Sequence, residues 1–258
     1  VGGGKLIVIA IDKLNPTQSP PGAVATIDGG SPLSFNGNTS VSYADVPAGS
    51  HQVRVTTTAG YLPSQDPALP GQPDNPANAL YGNPKTKAVV DNDWQSALFQ
   101  FIPHLQARGE AQDAWTGEKV AGAKIEFTAR SGPISNLVYD GYPNNAAYES
   151  LWFTLADGRF PTNVLLPTVS YDLKLSKAGY SNLIQASSIV APAPATTNDL
   201  GLKLLTPVDA NGNAIADAWE DLYFSGPTTA TNDADDDGHT DLEEYWAGTN
   251  PTNAGSLF

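Results

Sequence analysis

The first 60 residues alternate between apolar and polar positions in short runs that turn residues separate. Segments 23–27, 39–43 and 51–56 each follow this period of two, and Gly, Pro, Asn and Asp interrupt the chain between them. A period of two is typical of antiparallel strands with one buried face. The pattern therefore predicts β-sandwiches rather than a helical bundle.

The same layout recurs further along the chain. The pair Gly22-Ala23 corresponds to Gly122-Ala123, Val46-Pro47 to Leu166-Pro167, segment 51–55 to segment 171–175, and the closing Gly60-Tyr61 to Gly179-Tyr180. The second copy carries an insertion around residues 131–150. We therefore predict a first sandwich over residues 1–62, a Pro-rich linker over 63–96 and a second sandwich over 97–205, followed by a separate segment, 206–258.

These motifs resemble the repeats of the carboxypeptidase-regulatory-like and PEGA-type families. The second copy fits best, through Gly122-Ala123, Asp157-Gly158 and the run from Tyr171 to Tyr180. The resemblance implies a transthyretin- or Ig-like β-sandwich of about seven strands. It implies no peptidase activity, because in those families the domains are non-catalytic appendages.

The N-terminal run 5–11 is apolar on both strand faces, with Leu6, Val8 and Ala10 on one and Ile7, Ile9 and Ile11 on the other. Such a strand must be covered on both sides. One interpretation is the first strand of an ordinary sandwich. The other is a strand donated to a neighbouring copy, which predicts a homopolymer assembled through the N-terminal strand.

Composition excludes several classes of function. The chain has no cysteine, which rules out disulfides and thiolate metal sites. Its net charge is −14, and residues 201–258 hold 11 acidic residues against one lysine, so nucleic acid is not expected as a partner. No apolar run approaches the roughly 20 residues of a membrane span. The chain begins Val1-Gly2-Gly3-Gly4, as expected of a processed, secreted chain or a trimmed one.

The acidic segment contains two twelve-residue loops with oxygen-bearing side chains at positions 1, 3, 5, 9 and 12. We call residues 209–220 loop 1 and residues 233–244 loop 2. The predicted ligands are Asp209, Asn211, Asn213, Asp217 and Glu220 in loop 1, and Asp233, Asp235, Asp237, Asp241 and Glu244 in loop 2. Backbone carbonyls at position 7, from Ile215 and His239, complete each set. This spacing matches the EF-hand loop and predicts two Ca²⁺ ions.

Two features of these loops bear on their structure. Loop 1 has Ala214 where the sixth position normally holds glycine, which argues against a sharp turn there. The style of both loops resembles the thrombospondin type 3-like repeats of bacterial surface proteins, which implies one helix after each loop and structural ions. Thr240 and Glu243 form a capping-box pattern, and Gly248 is placed to end the second helix. We expect Trp219 and Trp246 to form a small core, with Leu222 on the same face as Trp219.

Other chemistry finds little support in the sequence. His51, His104 and His239 have no metal-pattern neighbours, and no nucleophile elbow, P-loop or dinucleotide motif is present. A pair of carboxylates for glycoside hydrolysis would be identified only by its separation in space. Trp94, Trp115, Tyr142 and Trp152 could line a sugar-binding face, although aromatic residues in sandwiches are usually core.

The sequence therefore predicts a mainly β, non-enzymatic, extracellular calcium-binding structural protein. The expected role is a self-assembling cell-surface or pilus-like filament subunit. The alternative is an accessory carbohydrate- or surface-binding region of a secreted enzyme or adhesin, with surface glycans as partners.

Overall fold

The structure is a computed structural model that describes residues 2–63, 83–140, 152–162, 164–190 and 193–256. Most of the predicted Pro-rich linker, half of the predicted insertion including Tyr142, and the C-terminal pair Leu257-Phe258 lie outside these residues. The described chain is mainly β, as predicted, and its two α-helices both lie near the C-terminus.

The strands and helices follow one another along the described chain in this order: β1 (Gly4–Asp12), β2 (Val24–Ile27), β3 (Leu33–Ser34), β4 (Ser40–Val46), β5 (Gly49–Thr56), β6 (Tyr61–Pro63), β7 (Lys85–Val89), β8 (Trp94–Asp113), β9 (Lys124–Ala129), β10 (Val138–Tyr139), β11 (Leu165–Pro167), β12 (Tyr171–Ser176), β13 (Leu183–Ile189), β14 (Thr197–Leu205), α1 (Asp217–Tyr223) and α2 (Asp241–Ala247). One turn of 3₁₀ helix, Gly132–Ile134, lies between β9 and β10.

The first sandwich packs two sheets around a core of Leu6, Val8, Phe35, Val53 and Phe99. One sheet contains β4, β1, the first half of β8 and the short β6, and the other has the order β3-β2-β5-β7. Strand β7 pairs with β5, so the end of the segment predicted as a linker belongs to this sandwich. The cause is local: β7 alternates half-buried and exposed positions and buries Val89 in the core.

Strand β1 lies inside its own sandwich, which contradicts its proposed donation to a neighbouring copy. It pairs antiparallel with β4 on one side and parallel with β8 on the other, so neither edge is open. Leu6, Val8 and Ala10 are fully buried, whereas Ile7, Ile9 and Ile11 are half-buried. The apolar residues on both faces are therefore explained by a central strand, whose second face is only partly covered.

The second sandwich repeats this arrangement. One sheet combines β11, the second half of β8 and β14, and the other has the order β10-β9-β12-β13. The core between them contains Phe127, Trp152 and Tyr171, whose rings meet edge to face. Edge-to-face contact is the favoured geometry of aromatic pairs and adds to the stability from burial.

Strand β8 belongs to both sandwiches. Its first half pairs with β1 from Trp94 to Phe101, and its second half pairs with β14 from Gln106 to Asp113. Residues up to Phe101 bury side chains in the first core, and residues from Leu105 onward bury them in the second. The sandwiches therefore meet within this strand, at residues 102–104, rather than at a linker.

The two copies of the repeat superimpose in their pairing. Ala25 lies opposite Val55 in the first sandwich, and Ile125 lies opposite Leu175 in the second. Each copy also closes with a hydrogen bond from its final tyrosine to an aspartate at the end of its first strand. Tyr61 donates to Asp12 at 3.5 Å, and Tyr180 donates to Asp113 at 2.9 Å.

Candidate metal centre

Loops 1 and 2 adopt the same backbone path. The fourth and sixth positions have positive φ in both, at Gly212 (74°) and Ala214 (68°) in loop 1 and at Asp236 (59°) and Gly238 (97°) in loop 2. The sharp turn is therefore present in loop 1, although Ala214 at the sixth position argues against it. The left-handed conformation is unfavourable for a residue that has a Cβ. Ala214 adopts it because the hydrogen bond from its N–H to Asp209 holds it there.

The first aspartate of each loop organises the turn. In loop 1, Asp209 Oδ1 accepts from the backbone N–H of Gly212 at 2.7 Å, and Asp209 Oδ2 accepts from that of Ala214 at 2.9 Å. In loop 2, Asp233 Oδ1 accepts from Asp237 N–H at 3.2 Å and Oδ2 accepts from Gly238 N–H at 2.9 Å. These bonds curl each loop around a central point.

The aspartate at position 9 closes each loop onto its second residue. Asp217 Oδ1 accepts from Ala210 N–H at 2.9 Å, and Asp241 Oδ1 accepts from Ala234 N–H at 3.3 Å. Asp241 is fully buried, and its Oδ2 accepts from Asn232 Nδ2 at 2.9 Å. Both oxygens of Asp241 thus have protein donors, which suits the ninth position of such loops, where contact with the ion often runs through water.

Loop 2 brings several carboxylates close together. Oxygens of Asp233, Asp235 and Asp237 lie within 4.8 Å of one another. Glu244 is fully buried, and its Oε1 accepts from the Thr249 hydroxyl at 3.2 Å. Four buried oxygens have no hydrogen-bond partner among the described residues: both of Asp235, Oδ2 of Asp237 and Oε2 of Glu244.

The electrostatics of Glu244 reflect this crowding. Burial is the main cause that raises the pKa of its carboxyl group, and the nearby carboxylates of Asp235, Asp237 and Asp241 raise it further. Buried, unpaired carboxylate oxygens are costly in the absence of a cation. The donor set fits a hard divalent cation, because every side-chain ligand is oxygen.

Loop 1 differs at its centre. Glu220 is buried, and its Oε1 accepts from Asn213 Nδ2 at 2.8 Å and from Asn211 Nδ2 at 3.3 Å. The oxygens of these two asparagines accept from the backbone N–H groups of Asn213 and Ile215, each at 2.9 Å. Loop 1 therefore satisfies its central carboxylate with its own amides.

The position-7 residues lie where the spacing predicts. Ile215 is fully buried and His239 is half-buried, and the N–H of each donates to the side chain at position 5. Their carbonyl roles and the side-chain ligand roles remain predictions. Sequence reasoning missed the residues around the loops, Thr228, Asn232 and Thr249, because their contacts depend on how the two loops pack together.

The helices after the loops begin and end near the predicted positions. Thr240 and Glu243 form the predicted capping box, and Gly248 ends α2 with a φ of 72°. Trp246 is 58% exposed, so the prediction that it forms a core with Trp219 is wrong, and Leu222, predicted on the same face as Trp219, is 70% exposed. Asp241, Glu244 and Tyr245 form the buried face of α2, since positions i, i+3 and i+4 lie together on a helix.

Tyr245 joins the loop segment to the second sandwich. Its ring lies 5.5 Å from that of Trp219 in α1 and 6.3 Å from that of Trp115, which follows β8. The backbone reinforces this contact: Val208 N–H donates to the Gly179 carbonyl and Ser181 N–H donates to the Thr206 carbonyl, both at 2.9 Å. The loops are therefore attached to the sandwich on the side where Tyr180 binds Asp113.

The predicted sugar-binding face is not assembled. Trp152 is buried in the second core, Trp115 packs against Tyr245, and Trp94 is 67% exposed on the first sandwich with Lys5 Nζ 5.6 Å from its ring centre. These three tryptophans do not share a surface.

A histidine and an aspartate outside the loops, His51 and Asp28, shift the pKa of each other. His51 Nδ1 lies 2.6 Å from Asp28 Oδ2, and His51 Nε2 lies 2.8 Å from the Pro47 carbonyl oxygen. A carboxylate and a carbonyl only accept hydrogen bonds, so both contacts are hydrogen bonds when both ring nitrogens carry hydrogen, as in the imidazolium. The hydrogen bond to Asp28 is the main cause that raises the pKa of His51.

Comparison with known proteins gives a similarity of fold at most. No protein-family model and no curated protein matches the chain. Among solved structures, it is similar to the Bacillus anthracis TIE protein (13% identity, TM-score 0.37, 80% of this chain and 34% of that one). It is also similar to a streptococcal ancillary pilin (14%, 0.30, 81% and 63%) and to the minor pilin GBS52 of Streptococcus agalactiae (11%, 0.31, 81% and 98%).

The chain thus spans about a third of the length of the TIE protein structure and under two thirds of the ancillary pilin structure. At these identities and TM-scores, none of the three carries a functional argument. In the part of the chain that the structure describes, no helix has the length and apolar character needed to cross a membrane.

Proposed function

We propose that the chain is a non-enzymatic, extracellular structural protein whose C-terminal segment binds Ca²⁺ through loop 2. The observation that carries this proposal is the set of four buried carboxylate oxygens, from Asp235, Asp237 and Glu244, that have no hydrogen-bond partner among the described residues. A cation would offset the cost of burying them and the repulsion between them.

Calcium suits this site better than other common ions. Zinc favours nitrogen and sulfur ligands, whereas all the side-chain ligands here are oxygens. Magnesium requires near-ideal octahedral geometry and keeps several waters, whereas calcium accepts six to eight oxygens, bidentate carboxylates among them. Asp233, Asp235, Asp237 and Glu244 supply these oxygens directly, and Asp241 supplies its contact through water.

Binding at loop 2 would stiffen the attachment of the C-terminal segment. Glu244 is the ligand at position 12, and the next residue, Tyr245, contacts Trp115 of the second sandwich. An ion that fixes Glu244 therefore also fixes α2 and the ring that reaches the sandwich. Without the ion, the excess of acidic residues in the segment opposes this packing.

The proposed setting is a cell-surface structure, such as a filament, in which the chain is one subunit. Two sandwiches joined through a continuous strand, with a calcium-stiffened segment at one end, suit a mechanical role. Assembly would have to use contacts other than an exchanged β1, because both edges of that strand are paired within the chain. Electron microscopy of the protein with and without Ca²⁺ tests this part of the proposal.

Calorimetric titration of the chelated protein tests the metal site. The double variant Asp235→Asn/Asp237→Asn should weaken binding at loop 2 by about 100-fold or more, because losing an outer-shell partner alone costs about 10–100-fold. Asp236→Asn is the matched control: it removes a neighbouring exposed charge and leaves the central oxygens in place. Absence of binding at millimolar Ca²⁺ would overturn the proposal, and so would equal loss in the control.

A further inference from the structure

Thr228 lies between the two loops. Its N–H, carbonyl and hydroxyl groups all form hydrogen bonds with predicted ligands of the loops. Its backbone N–H donates to Glu220 Oε1 at 2.8 Å, and its carbonyl accepts from Asn213 Nδ2 at 3.1 Å, both in loop 1. Its hydroxyl donates to Oδ2 of Asp241, the buried position-9 residue of loop 2. A single residue therefore touches ligands of both loops.

The loops are prepared for a cation to different degrees. In loop 2, both oxygens of Asp235, Oδ2 of Asp237 and Oε2 of Glu244 lack partners among the described residues, so a cation can reach these four atoms without breaking a hydrogen bond that they make. In loop 1, the amide groups of Asn211 and Asn213 point at Glu220. Each must rotate before its oxygen can face an ion, and rotation breaks its hydrogen bonds to Glu220 and to the backbone.

We propose that Thr228 couples the two loops, so that loop 2 fills first and its ion raises the affinity of loop 1 for a second Ca²⁺. This inference rests on the proposed function, because it needs loop 2 to bind calcium. It assigns a regulatory role to a residue that is not itself a predicted ligand.

The coupling follows from what each hydrogen bond of Thr228 holds in place. An ion in loop 2 neutralises the repulsion around Asp241, so Asp241 holds the Thr228 hydroxyl in one position. The Thr228 N–H then holds Glu220, the position-12 ligand of loop 1, before the second ion arrives. A ligand that is already ordered loses less conformational entropy on binding, which raises affinity. The effect must be reciprocal, so an ion in loop 1 also strengthens loop 2.

The test compares the affinity of loop 1 in the presence and absence of a working loop 2. We expect it to fall by about tenfold in Asp235→Asn/Asp237→Asn, within the range of about 5–150-fold that is typical of coupled sites. The readout is NMR of the Asn213 side-chain amide, whose hydrogen-bonded signals should shift as it turns from Glu220 and the Thr228 carbonyl. Because Asn213 is a predicted ligand of loop 1, the calcium titration of this signal follows the filling of loop 1.

Substitution of Thr228 then separates coupling from direct loss of a ligand. Thr228→Val keeps the backbone N–H to Glu220 and removes only the hydroxyl, so it should reduce the tenfold difference to less than about twofold. Thr228→Ser keeps the hydroxyl and should restore the difference. Thr229→Val, at the exposed neighbouring residue, should leave it unchanged.

Three results would overturn the coupling: equal loop 1 affinity with and without a working loop 2, an unaltered difference in Thr228→Val, or loop 1 filling first. These results are distinct from failure of the proposed function, which would appear as no calcium binding at loop 2 in the unsubstituted chain.

Discussion

The hydroxyl of Tyr180 donates a hydrogen bond to Asp113 Oδ2 at 2.9 Å, across the end of the second sandwich. Asp113 Oδ1 also accepts from the backbone N–H groups of Trp115 and Thr116, at 2.7 and 2.9 Å. Asp113 is buried, and these three donors satisfy its carboxylate oxygens. The same aspartate therefore ends β8, holds the closing tyrosine of the repeat and positions Trp115 for contact with Tyr245 of the C-terminal segment.

Removal of the Tyr180 hydroxyl should destabilise the second sandwich. We expect Tyr180→Phe to lower the free energy of unfolding by about 1 kcal/mol, typical of one hydrogen bond. Tyr61→Phe is the matched change in the first sandwich, where the bond to Asp12 is 3.5 Å long, and it should cost less. Urea denaturation followed by fluorescence measures both, and an equal or larger cost for Tyr61→Phe would contradict the comparison.

Chelation should loosen residues 206–256 and leave the sandwiches folded. The segment has a small apolar core, centred on Ile215 and Tyr245, and a large acidic excess, so we expect its folding to depend on ion binding. Limited proteolysis with EDTA should cut this segment first, and added Ca²⁺ should protect it. Equal cleavage in both conditions would count against the coupling.

Trp115 should carry the calcium effect to the sandwich. Trp115→Ala removes the ring that meets Tyr245 and leaves every predicted ligand unchanged. We therefore expect calcium affinity to change little while the calcium-dependent rise in the melting temperature of the second sandwich is reduced. Calorimetric titration and scanning calorimetry measure the two effects separately. Loss of binding itself would place Trp115 in the folding of the loops.

Position 6 of the loops allows a reciprocal test of backbone strain. Ala214→Gly should stabilise loop 1 by about 1 kcal/mol, because it relieves a left-handed alanine. Gly238→Ala should weaken loop 2 by a similar amount, since it imposes the same strain on φ 97°. Hydrogen exchange of the loop amides measures local stability in each variant. Opposite signs for the two changes are the expected result, and equal signs would refute the interpretation.

The His51–Asp28 pair predicts a pH dependence of the first sandwich. The pKa of His51 is raised in the folded state, so its contribution is complete below the unfolded value of about 6.5 and is lost as pH rises through the folded value. The pKa of Asp28 is lowered, mainly by the backbone N–H of Gln52, so its contribution is lost as pH falls through that lowered value.

Stability from this pair should therefore be greatest in mildly acidic solution and decline towards alkaline pH. His51→Gln should flatten the alkaline side of the profile, and Asp28→Asn should flatten both sides. Urea midpoints of the first sandwich, measured across the pH range, provide the measurement. The second sandwich, which has Tyr171 in the position equivalent to His51, is the internal reference. A decline that persists in His51→Gln would assign it to another group.

Local patterns in the sequence identified the repeat, the two loops and the capping of α2, because each depends on neighbouring residues. The same patterns could not place β8. Its pairing with β1 and β14 joins residues that are distant in the sequence, so the first half of the strand was divided between a linker and a domain. Tyr245 and Trp246 show a second limit: the buried face of α2 is set by Glu244, which must point into the loop, and not by aromatic size.

The position of β8 in both sandwiches also has a mechanical consequence. Strands β1 and β14 both run parallel to β8, one along each half. Tension between the start of β1 and the end of β14 therefore acts along the strands, in shear, and stretches many interstrand bonds together rather than opening them one at a time. The junction at residues 102–104 also has no loop between the sandwiches, because it lies within the continuous strand β8. Force entering one sandwich would pass into the other without a hinge to absorb it.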